Sequence, residues 1–105
     1  MLLEYTDNAN GKQIEVQTHE EFIITLPETR TAGYRWTLTG KAEPQCALVE
    51  DSAQPAAGVG GSGTHRWRFR AVSPGTGEIT AAYARSWQAG SEPAKTFTLK
   101  VQVRH

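Results

Sequence analysis

Residues 57–69 read Ala57-Gly58-Val59-Gly60-Gly61-Ser62-Gly63-Thr64-His65-Arg66-Trp67-Arg68-Phe69, and the fold turns on the residues just after the glycines. Gly58, Gly60 and Gly63 fall at the G-x-G-x-x-G spacing of a dinucleotide site. That fingerprint needs a helix after it, because the helix N-terminus holds the pyrophosphate. Here Trp67, Phe69 and Ala71 alternate with Arg66, Arg68 and Arg70, the period-two pattern of a strand with one buried face. A phosphate-loop reading from Gly58 to Thr64 also lacks the required lysine. The glycines therefore lead into a strand, and a nucleotide site is not expected.

Working outward, the same alternation recurs. Phe22, Ile24 and Leu26 share a face within 21–26, as do Tyr34, Trp36 and Leu38 within 33–39. Ile79, Ala81 and Tyr83 do so within 77–83, and 96–103 is the cleanest case, with Phe97, Leu99, Val101 and Val103 directed inward. Weaker strands are expected over 2–6, 13–17 and 46–50. No segment carries helical periodicity with a cap at each end. Asn10-Gly11, Pro74-Gly75 and Gly90-Ser91-Glu92-Pro93 mark turns. Seven to eight short strands separated by turns predict an all-β fold, two antiparallel sheets packed as a sandwich.

The chain has 105 residues, enough for one core, so a single domain over 1–105 is expected. Eleven basic residues balance eleven acidic ones, which gives no support to a nucleic-acid partner or an anionic membrane. No apolar run is long enough to cross a bilayer. Met1-Leu2-Leu3-Glu4-Tyr5 turns acidic at once, unlike a secretory signal, leaving open an intracellular protein or one whose leader has been removed. Cys46, the single cysteine, alternates like a buried strand residue, so a structural thiol is expected rather than a nucleophile. His19, His65 and His105 match no metal spacing. No cofactor, metal or catalytic constellation is expected, and the protein is not read as an enzyme.

Three connections between strands have unusual content: 26–36, 52–63 and 83–93. In them, Thr31-Ala32-Gly33-Tyr34, Gly58-Val59-Gly60-Gly61 and Arg85-Ser86-Trp87 resemble, in order, the N-P-T-T-G-Y, G-x-G-G and R-P-W motifs of the chagasin family. The resemblance runs from about Phe22 to Val103. It implies an immunoglobulin-like β-sandwich and a reversible, non-covalent inhibitor of papain-like cysteine proteases. Residue by residue, Thr31, Gly33 and Tyr34 agree with the first motif, while Thr29, Arg30 and Ala32 replace asparagine, proline and threonine. Gly58, Gly60 and Gly61 meet the second in full; Arg85 and Trp87 agree with the third, with Ser86 in place of proline. Losing both prolines raises the ordering cost on binding.

By this resemblance the protease-binding residues are Thr29, Arg30, Thr31, Ala32 and Gly33, then Gly58, Val59, Gly60 and Gly61, then Arg85 and Trp87. The first group enters the cleft at the catalytic cysteine, the glycines line its non-primed side, and Arg85 and Trp87 its primed side. Tyr34 is expected to face inward with Trp36 and anchor the first loop. Strand parity would put Trp87 with Tyr83, as a cap on the core, but Ser86, Gly90 and Pro93 end the strand nearby, and protease contact is the reading adopted. Trp36 and Trp67 are expected in the core, and Arg66, Arg68 and Arg70 on a solvated face that also discourages edge pairing. A monomer is expected. The competing reading is a sandwich module that binds another protein or a carbohydrate through the same loops.

Overall fold

The alternating runs become strands because each can bury one face against the other's. The computed structural model describes residues 3–28, 34–54, 63–85 and 95–105. In chain order the strands are β1 (Leu3–Tyr5), β2 (Lys12–Gln17), β3 (Glu21–Glu28), β4 (Tyr34–Lys41), β5 (Cys46–Gln54), β6 (Gly63–Ala71), β7 (Gly75–Arg85) and β8 (Lys95–Arg104). A single 3-10 turn, Asp7–Ala9, lies between β1 and β2, with the Thr6 hydroxyl accepting from the Asn8 N–H. The strands form two sheets, ordered β1-β3-β6-β5 and β2-β8-β7-β4. Pairing is antiparallel except at two edges, where β1 runs parallel to β3 and β2 parallel to β8.

The core lies between the sheets. Phe22, Ile24, Leu26, Trp67, Phe69 and Ala71 project from one, and Trp36, Ile79, Ala81, Phe97, Leu99, Val101 and Val103 from the other; all are buried. Phe22 stacks on Phe69 at 5.5 Å, and Trp36 meets Trp67 edge-on across the sandwich at 6.4 Å. Such aromatic pairs add directional contacts to the non-directional burial of apolar surface.

The arginine face differs from its expectation in two respects. β6 is flanked by β3 and β5, so it has no free edge for the charges to protect. Only Arg70 is exposed; Arg66 and Arg68 are half-buried. Arg68 stands opposite Ile23 and reaches diagonally to Glu21, with its Nε 2.6 Å from Glu21 Oε1. Its alkyl stem then lies alongside Ile23, which faces outward by alternation and is nevertheless fully buried.

Candidate functional site

The strand registers bring six strand ends to one end of the sandwich. In the first sheet, Glu28 at the end of β3 pairs with Gly63 at the start of β6, and Gln54 at the end of β5 pairs with Thr64. In the second, Tyr34 at the start of β4 pairs with Arg85 at the end of β7, and Tyr83 pairs with Lys95 at the start of β8. These are the ends that flank 29–33, 55–62 and 86–94, which overlap the three connections singled out in the sequence at 26–36, 52–63 and 83–93. Thr29 to Gly33, Gly58 to Gly61 and Trp87 lie outside the described residues. Arg85 is described as the last residue of β7.

Trp36 ties the two sheets together at this end. Its indole Nε1–H donates to the Pro27 carbonyl at 2.9 Å, and its backbone N–H donates to Glu28 Oε2 at 2.8 Å. Tyr34 stacks on Tyr83 at 5.3 Å, and Tyr83 packs on Trp36 at 5.0 Å. Tyr34 thus shares the Trp36 face as expected and anchors the start of β4. Lys95 Nζ stands 5.9 Å above the Tyr83 ring, within cation–π reach.

Beneath the same end sits a polar cluster that pattern reading missed. Glu28 and His65 are both buried. His65 Nδ1 lies 2.9 Å from Glu28 Oε2, and its Nε2 lies 2.5 Å from Asp51 Oδ1. The His65 ring also packs on Trp67 at 4.7 Å. A buried carboxylate is costly unless bonded, and here the Trp36 N–H and the imidazole bond Glu28. The available signal was Glu28 at an inward position two residues beyond Leu26.

Cys46 is buried, and burial pushes its thiol up to about 11, so it stays protonated and poorly nucleophilic near neutrality. Among the described residues, no group of three His, Cys, Asp or Glu side chains is placed to hold a metal ion.

Residues 15–101 match the Chagasin family peptidase inhibitor I42. The chain belongs to this family. The chagasin family is one of inhibitors, not enzymes. Amoebiasin-2 of Entamoeba histolytica is 22% identical over 103 residues, covering 94% of this chain and 83% of that protein. The crystal structure of the cysteine protease inhibitor EhICP2 from Entamoeba histolytica superposes with a TM-score of 0.87 at 20% identity, covering 98% of this chain and 96% of the other. PbICP-C, solved in complex with falcipain-2, gives 0.71 at 18% identity, covering 96% of this chain and 89% of the other. At these identities the structural likenesses establish the chagasin-like sandwich fold.

Proposed function

We propose that this protein reversibly and non-covalently inhibits papain-like cysteine proteases by lodging three segments of one sandwich end in the active-site cleft. The observation that carries the reading is the convergence of the six strand ends that flank 29–33, 55–62 and 86–94, in a chain of the chagasin family. Two similar proteins support it: one is described as a cysteine protease inhibitor, and the other was solved in complex with falcipain-2. The unit is one domain over residues 1–105, acting as a monomer without cofactor.

Each segment has a distinct task. Thr31, Ala32 and Gly33 carry small side chains, so their backbone can approach the catalytic thiolate closely. The protein escapes cleavage if this tip denies the thiolate an aligned carbonyl, because the reaction needs near-attack geometry. Thr29 and Arg30 flank this tip. Gly58, Gly60 and Gly61 allow backbone pairing along the non-primed side, and Val59 offers a small apolar group to a specificity pocket. Arg85 and Trp87 are of the residue types that dominate binding hot spots, and they engage the primed side.

Titration of a papain-like protease with the purified, folded protein tests the reading. Tight, reversible loss of peptidase activity is expected, and a triple change at Thr31, Gly60 and Trp87 abolishes it. Truncating Trp87 alone weakens inhibition by roughly thirtyfold or more. No inhibition across several such enzymes overturns the reading.

A further inference from the structure

The Glu28–His65–Asp51 cluster joins three strands directly below the points where two of the three segments depart. Glu28 is the last residue of β3, before 29–33. Asp51 lies three residues before the end of β5, and His65 two residues after the start of β6, on either side of 55–62. Through its bond to the Trp36 N–H, Glu28 carries the linkage on to β4, where 29–33 ends. We propose that Glu28, His65 and Asp51 form a positioning clamp that holds the strand ends below the first and second segments in binding geometry, and that the clamp closes by taking up one proton.

The proton count comes from the contacts. A neutral imidazole has one N–H donor and one bare nitrogen, while an ionised carboxylate only accepts. His65 faces a carboxyl oxygen at each nitrogen, so a neutral ring between two carboxylates satisfies one contact and sets a lone pair against an oxygen at the other. One added proton, on the ring or on a facing carboxyl group, makes both contacts hydrogen bonds. Loss of that proton opens one side. Glu28 is 2% exposed and further held by the Trp36 N–H, whereas the Asp51 side chain is 47% exposed, so Asp51 is the arm that swings to water. Rising pH therefore opens the clamp and falling pH closes it.

Among the described residues, the groups around the ring come from every strand packed near it. Glu28 comes from β3, Asp51 from β5 and the Trp67 ring from β6. From the opposite sheet, Trp36 reaches the ring through Glu28; Tyr83 packs on Trp36, with Tyr34 and Lys95 beyond it. Arg66 points to the other face of β6 by alternation. The remaining charges on β3 and β5, Glu21 and Glu50, stand opposite Arg70 and Arg68 in the register, on that outer face.

The clamp rests on the inhibitory reading only for its consequence, so its test has two arms. Asp51→Asn supplies an N–H that can donate to the bare ring nitrogen, which keeps both bonds with a neutral ring and no added proton. Against one papain-like protease, the ratio of the wild-type to the D51N inhibition constant should rise about tenfold between about pH 5 and 8. Taking the ratio cancels the protease's own ionisation. In the second arm no protease is present, and amide hydrogen exchange at Gly63 and Tyr34 is compared with Val101. Wild-type protection at the two strand ends should fall relative to Val101 as pH rises, and D51N should hold it. A ratio and a relative protection that both stay flat with pH overturn the clamp. If the wild type inhibits no protease, the functional reading fails, and the exchange arm alone decides the clamp.

Discussion

Burial pushes the Cys46 thiol up to about 11, above its ordinary value of 9.0. Between those two values the unfolded chain has lost its thiol proton while the folded chain keeps it. Folding then takes up a proton, so this contribution to stability is full below about pH 9 and is lost as pH rises toward 11. Cys46→Ala should remove this alkaline loss, read by urea denaturation at about pH 7 and pH 10; an equal loss in both proteins would show that other groups cause it. In the native wild type, a thiol reagent at neutral pH should react only as fast as the chain opens. The burial of Cys46 was legible because an apolar-like residue in an alternating run has one natural place. His65 was not legible in the same way. Its inward position agrees with its alternation with Trp67, but its two carboxyl partners lie 37 and 14 residues away in sequence. Glu28 comes into reach through the β3–β6 register and Asp51 through a bulge in β5.

At the level of elements, β8 could be read almost to the residue and β6 over 66–71, because a central strand alternates without interruption; β6 begins earlier, at Gly63, in the stretch read as a connection. β5 could not. Cys46 and Leu48 face inward, and continued alternation would turn Glu50 in next. The register instead slips between Leu48 and Glu50, leaving Val49 exposed and pairing Asp51 with Trp67 and Ala53 with His65. One extra residue reverses the parity of everything after it. The parallel edges escaped notice for another reason: alternation reports which face is buried, not which way a neighbour runs. Close packing between elements also leaves little trace in a sequence. Gly77 on β7 is such a case, since a Cβ there would lie 2.9 Å from Ala42 Cα and 2.8 Å from its Cβ. Backbone cannot yield as a flexible side chain does, so Gly77→Ala should destabilise the fold by about 1–3 kcal/mol. A shift in the urea midpoint at unchanged slope would measure this, and an unchanged midpoint would mean that the β4–β5 connection moves aside at little cost.

Across the whole molecule, the proposed contact residues other than Arg85 fall between the strands that build the scaffold. The buried core is built from strand residues of both sheets together with Ala9 and Ala42, and the sheets are locked at the site end by Trp36, through its bonds to Pro27 and Glu28 and its contact with Trp67. The proposed contact residues 29–33 and 58–61 lie between strands whose pairing continues up to Glu28–Gly63 and Gln54–Thr64. The proposed contact segments thus fall between paired strands, an arrangement that lets loop sequences vary while the sandwich persists. Replacing 29–33 and 58–61 by glycine-serine segments of the same length should then change stability by no more than about 1 kcal/mol, because the substitutions spare the strands and the clamp. The same chimera should lose inhibition by at least about a hundredfold, since the Thr29, Arg30, Thr31 and Val59 side chains disappear together and the looser backbone raises the ordering cost on binding. Thermal denaturation and protease titration on one preparation separate the two effects. A chimera that unfolds tens of degrees earlier would show that these segments hold the sandwich together, and the division between rigid strands and variable rim would have to be abandoned.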